Sequence, residues 1–170
     1  MRYAFPIIII VVAALSLMLF ACRQQRSAQP LDVNAQMAAL AHRAIQRAMQ
    51  EYSKSMDYSP SSIEQVESIL SILHEKHRAQ PFSEDELTKE VNIWGAYIGE
   101  VAKRVRAGVW RQDSNVSGKD AMPLVHDNQN EIYPLAWVYK RITNGPEDNV
   151  WSKFQLTYFR DELLKESQRK

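Results

Sequence analysis

"WGAYIGEVAKRVRAGVW", Trp94 to Trp110, decides how the chain is read, because Gly95 and Gly99 stand four apart inside a segment of helical periodicity. A glycine in a helix interior costs about 1 kcal/mol relative to alanine, so the pair asks for roughly 2 kcal/mol of compensation from packing, a ligand or a break. Upstream, Ser83 with Glu86 three residues on forms a capping-box pattern, and Phe82 with Leu87 can staple it. Downstream, Lys103, Arg104 and Arg106 suit the negative end of a helix dipole, and Gly108 suits a helix stop. The stretch is therefore expected to lie within one long helix, from Ser83 to about Ala107.

On a helical wheel Val91, Trp94, Ile98, Val101, Ala102 and Val105 fall within about 60° of Leu87 and define a core stripe. Gly95 and Gly99 lie beside that stripe, at about 80° and about 120°, as a shoulder of small residues. Glu100 falls on the far side, one turn from Arg104, and reads first as half of a solvated i,i+4 pair. The shoulder is either a seat for another element of the same domain or a groove where a ligand approaches the backbone. Conspicuous helix glycines usually serve packing, and Trp110, Trp137 and Trp151 are available to fill the seat.

Working outward, Val33, Met37, Leu40, Ala41, Ala44, Ile45, Ala48, Met49 and Tyr52 recur at spacings of three and four, which predicts a first helix over roughly 32–54. Ser61 followed by Glu64 predicts a capping box for a second helix, with Pro81 as its stop. After Gly108, the runs "VWRQDS", "MPLVHD" and "NEIYP", separated by polar turns, read as two or three short antiparallel strands. Pro134 and Gly145 bracket a short helix, and a last helix is expected to open at Pro146. The fold class expected is α+β: three N-terminal helices, a small antiparallel sheet, a short helix and a C-terminal helix.

The N-terminus speaks to location. Met1-Arg2 is a short basic start, Ile7 to Phe20 is apolar apart from Ser16, and Leu19-Phe20-Ala21-Cys22 closes the stretch on the chain's one cysteine. A charged start, an apolar region and a small residue before a cut describe a secretory signal peptide. "LFAC" resembles the lipobox of bacterial lipoproteins, and the resemblance implies cleavage before Cys22, acyl chains on its thiol and new amino group, and no free thiol. Arg23 in place of aspartate implies, by the sorting rules of that class, the outer membrane, with the domain facing the periplasm. An uncleaved anchor over Tyr3–Ala21 would only just reach the roughly 20 residues that a span needs. The organisation expected is a signal peptide at 1–21, an acylated cysteine and polar tether at 22–31, and one α+β domain at 32–170.

Without residues 1–21, which hold Arg2 and no acid, the chain carries 20 basic and 20 acidic residues. That balance argues against a nucleic-acid binder, whose footprint is a basic face. His74 and His77 in "HEKH" lack the H-E-x-x-H spacing and read as a surface pair, so no metal is expected. His42 falls away from the apolar face of its helix, and His126 sits beside Asp127 at a strand end. No G-x-S-x-G elbow is present, and the glycines at 95, 99, 108, 118 and 145 are too scattered for a phosphate loop. "YPLAWVYKRITNGPEDNVW" mixes aromatics with charge and reads as a core corner or as a recognition patch through Trp137, Lys140 and Arg141.

"SPSSIEQVESIL", "WGAYIGEV" followed by Trp110, and "YPLAWVYKRITNGPEDNVW", in that order, resemble a group of small bacterial domains of unknown function over most of residues 58–160. The resemblance implies one domain with a long third helix and carries no activity, cofactor or catalytic residue. The favoured expectation is a membrane-anchored, non-enzymatic envelope lipoprotein that binds an envelope protein or a cell-wall component. Its candidate surface is Gly95, Gly99, Glu100, Arg104, Trp137, Lys140 and Arg141. The alternatives are a small envelope hydrolase using Glu100 or His126 beside the sheet, which two of Glu100, His126, Asp127 and Arg141 within hydrogen-bond reach in a cleft would support, and an immunity-type protein that neutralises a toxin.

Overall fold

The computed structural model describes residues 32–167, which hold six helices and a three-stranded antiparallel sheet. Helices α1 (Val33–Tyr52), α2 (Ser62–Ala79) and α3 (Glu84–Val105) come first, then strands β1 (Gly108–Trp110), β2 (Leu124–His126) and β3 (Glu131–Ile132). Helix α4 (Pro134–Thr143), a 3-10 turn at Pro146–Asp148, and helices α5 (Val150–Tyr158) and α6 (Arg160–Ser167) complete the chain. The fold is α+β, with the small sheet set between the helix groups. The signal peptide, Cys22 and the tether up to residue 31 lie outside the described residues.

Helix α3 organises the rest. Its capping box forms: Ser83 is extended (φ −61°, ψ 162°) and accepts the Glu86 N–H, while the Glu86 carboxylate accepts the Ser83 N–H at 2.8 Å. Every residue from Ile93 to Ala102 is buried, so this part of the helix is enclosed on all sides rather than along one stripe. Helices α1 and α4 pack on α3, and α2 packs on α4 and α5. Helix α1 contributes Met37 and three alanines, Ala41, Ala44 and Ala48, to the core; short side chains there let two helices draw close. The described residues from Val33 onward cluster as one compact unit. Among the described residues no helix is long and apolar enough to cross a membrane.

In the sheet, β2 is central and antiparallel to both neighbours. Its Leu124 pairs with Trp110 on one side and Ile132 on the other, and all three are buried. Alternation therefore turns Trp110 inward while Val109 stays half exposed.

Three local expectations are corrected. Ser61 caps nothing with its side chain: its backbone is already helical (φ −64°, ψ −23°), and α2 starts through turn bonds from Ile63 N–H to the Pro60 carbonyl and from Glu64 N–H to the Ser61 carbonyl. Gly108 does not end α3, which stops at Val105 with Arg106 extended; instead it opens β1, where a Cβ would come within 2.8 Å of His126 Nδ1. The last helix is two helices rather than one. Asn149 is extended and accepts the Ser152 N–H, which separates the 3-10 turn from α5, and Phe159 breaks α5 from α6.

Candidate functional site

The glycine shoulder of α3 is filled. A Cβ on Gly99 would fall into the six-membered ring of Trp110, so the β1 tryptophan lies directly on the helix backbone. A Cβ on Gly95 would stand 2.8 Å from Leu135 Cα, so the first turn of α4 seats on the same edge one turn earlier. Both absent side chains are replaced by the protein's own residues, and the open groove considered above is overturned at Gly95 and Gly99.

Glu100 is the second correction. It is buried rather than solvated, because Trp110, in crossing Gly99, donates its indole N–H to Glu100 Oε1 at 3.0 Å. Lys103 Nζ donates to the same oxygen at 2.9 Å, and Arg104 Nη1 donates to the Glu100 carbonyl at 2.6 Å. The Arg104 guanidinium then lies 3.8 Å over the centroid of the Tyr58 ring, a cation–π stack. Tyr58 stacks on Tyr97, whose hydroxyl accepts the Tyr58 N–H at 2.9 Å and pairs with Ser62 Oγ at 2.7 Å. Burial raises the Tyr97 pKa, and the Ser62 hydrogen bond opposes that only in part. Asn34 ties the start of α1 to this corner, with Oδ1 accepting the Trp110 N–H at 2.9 Å and Nδ2 donating to the Trp110 carbonyl at 3.2 Å.

Ten residues earlier on α3 stands a cluster with the same parts. Glu90 accepts from both terminal nitrogens of Arg47, at 2.9 and 2.8 Å, and from the Trp94 indole N–H at 2.9 Å. Arg47 also pairs with Glu51 one turn along α1. Burial works against the Arg47 charge, but the hydrogen bonds and charges of Glu90 and Glu51 together outweigh it and hold its pKa above the ordinary arginine value. Sequence reasoning did not find Glu90 or Arg47. A signal was there, since Glu90 falls about 60° from Leu87 on the wheel, at the edge of the apolar stripe, four residues before Trp94.

The remaining candidates scatter. Trp137 is half-buried against the core, and Lys140 is exposed. Arg141 is not on a surface: at 3 % exposure it donates from Nε to Glu67 Oε1 at 2.7 Å, while Glu67 Oε2 accepts the Val150 N–H at 2.9 Å. The pair pins α4 and the start of α5 to α2. His126 is buried, with Nδ1 3.0 Å from the Ala107 carbonyl and Nε2 2.7 Å from the Tyr158 hydroxyl. A carbonyl only accepts, so Nδ1 carries a proton, and in the neutral ring Nε2 accepts from the Tyr158 hydroxyl. Asp127 is exposed. Among the described residues no hydrogen bond joins any two of Glu100, His126, Asp127 and Arg141, so the hydrolase constellation is not assembled.

His74 and His77 are also not a free surface pair. His74 Nδ1 bonds the Ile142 carbonyl at 2.8 Å, and His77 Nδ1 accepts the Phe82 N–H at 3.1 Å, closing the turn from α2 into α3. Among the described residues no three His, Cys, Asp or Glu side chains gather as a metal site. Ser114, in the loop between β1 and β2, and Tyr133, between β3 and α4, both donate to Glu131 Oε2, the latter at 2.6 Å, and these bonds hold the Glu131 carboxyl below its usual pKa. No protein family, curated protein or solved structure is found to match this chain.

Proposed function

We propose that the chain is a bacterial envelope lipoprotein, held to the membrane by acyl chains on Cys22, whose domain is a non-enzymatic binding module. The observation that carries the anchor is the place of the chain's one cysteine, directly after the small residue that closes an apolar stretch. One acyl chain holds a protein only marginally, whereas two or more hold it stably, so a processed Cys22 makes a membrane-spanning helix unnecessary. A binding role is supported by how the charged groups are spent. Glu90, Glu100, Arg141 and His126, the buried carboxylates, arginine and histidine among the described residues, are engaged in bonds that tie one element to another. A group committed in this way is poorly placed to exchange protons with a substrate.

The test is metabolic labelling with an alkyne-tagged fatty acid, combined with membrane fractionation. The parent chain should carry label and sediment with membranes, and Cys22→Ser should lose both. Equal labelling of the two chains would overturn the anchor. In-cell crosslinking of the parent should trap one defined complex at native abundance, and recovery of monomer alone would overturn the binding module.

A further inference from the structure

We infer that a cavity between α5 and α6 is a binding site for a phosphate-bearing ligand. The cavity has a volume of about 380 Å³ and is walled by Arg106, Tyr158, Phe159 and Arg160, with Leu156 at its edge. This is the size of a small-molecule site rather than of a lone ion. The inference deepens the binding-module reading by naming a ligand chemistry, and it is independent of the anchor.

Arg47, Arg78, Arg104 and Arg141 each form an ion pair within the domain. Arg106 and Arg160 form none among the described side chains, and both are exposed. They are set apart by lining one cavity together, since Arg43 and Arg111 are likewise exposed and without an ion pair among the described side chains but stand outside that lining. Arg106 rests over the Tyr158 ring, 5.6 Å from its centroid, which aims a cation along one wall. That wall is stiff, because the Tyr158 hydroxyl is held by buried His126 and its ring packs on Phe154 at 4.8 Å. Asp161 places one carboxylate in the lining, so the wall remains net positive.

Guanidinium groups present N–H donors in a planar fork that matches the oxygens of a phosphate, and two of them can meet the double charge of a phosphate monoester or the single charge of a phosphodiester. Leu156, 61 % exposed, and Phe159 add apolar surface beside the cations, which suits a phosphate carried on an organic remainder. Two sources have that chemistry: a soluble phosphate ester, and the headgroup of a phospholipid in the membrane.

The experiment uses the full chain carrying Cys22→Ser, so that acyl chains do not dominate membrane binding. Inorganic phosphate and glycerol 3-phosphate are titrated against isotope-labelled protein at fixed ionic strength, with chloride as the reference anion. Saturable shifts at Arg106, Tyr158 and Arg160 are expected with both phosphates, stronger with the ester. Arg106→Ala and Arg160→Ala should each weaken binding at least tenfold, Arg160→Glu should abolish it, and Arg111→Ala, outside the cavity lining, should leave it unchanged. Thermal unfolding of each variant confirms that the domain is intact. Sedimentation with phosphatidylglycerol vesicles that is lost in the double arginine variant would assign the headgroup as the source. Phosphate titration without such sedimentation would assign a soluble ester. Shifts equal to those of chloride, or unchanged affinity in the double variant, would overturn the site. The labelling of Cys22 is read separately, so loss of the anchor and loss of this site are told apart.

Discussion

Helix α3 carries two buried carboxylates, Glu90 and Glu100, and each accepts an indole N–H and a cation. The two are assembled in opposite ways. At Glu90 the tryptophan is local, Trp94 on the next turn, and the cation comes from α1, 43 residues away in sequence. At Glu100 the cation is local, Lys103, and the tryptophan arrives from β1. The first cluster therefore clamps two helices through a bidentate charged pair. The second clamps a strand onto a helix through a flat ring that needs a glycine beneath it. Identical chemistry can thus serve a helix–helix or a helix–strand joint, depending on which partner is long-range.

Substitutions at the two ends should separate these roles, beginning with the ring. Gly99→Leu fills the space occupied by Trp110 and should expel that ring, at a cost of about 4 kcal/mol, comparable to losing a buried aromatic side chain. Denaturant unfolding and the loss of near-ultraviolet tryptophan circular dichroism would register it; a variant of parental stability would mean that the ring is not clamped. Glu90→Gln keeps the shape but leaves Arg47 without its bidentate partner, and about 3 kcal/mol of destabilisation is expected. The same change at Glu100 should cost only about 1.5 kcal/mol, since the amide oxygen can still accept the Trp110 N–H. Equal losses for the two glutamines, measured in one denaturant series, would erase the contrast. Lys103→Ala, at the solvent side of the second cluster, should cost less than about 1 kcal/mol.

Glu131 offers the mildest test, as a carboxylate held by neutral hydroxyls instead of a cation. Its native pKa lies below the ordinary 4.5 because Ser114 and then Tyr133 hydrogen-bond its ionised form. The contribution to stability is therefore complete above pH 4.5 and is lost as the pH falls through the lowered native value. In an NMR titration of the carboxyl carbon, Ser114→Ala should move the midpoint up toward 4.5, and an unmoved midpoint would remove Ser114 as the cause.

Local chemistry was legible where it needed no partner from elsewhere. Ser83 and Ser61 show where that ends, since both stand three residues before a glutamate. Only Ser83 has the extended backbone from which a hydroxyl reaches the N3 amide; Ser61 is drawn into the turn that Ser59 and Pro60 begin. The wheel likewise placed the core stripe of α3 correctly but set Glu100 toward solvent. A wheel records only the angle of a residue about its own axis, and Trp110 covers that angle from outside the helix.

By itself the sequence determined the α+β order, the cap of the central helix, the short helix between Pro134 and Gly145, and the need for something to lie against Gly95 and Gly99. Each follows from interactions spanning a few residues, which composition and spacing record directly. Tertiary structure alone decided that Trp110 and Leu135 fill that shoulder, that Glu100 and Arg141 are buried, and that His126 faces Tyr158. Those outcomes depend on which distant segment arrives at a given face, and burial follows from that arrival rather than from the residue's own periodicity.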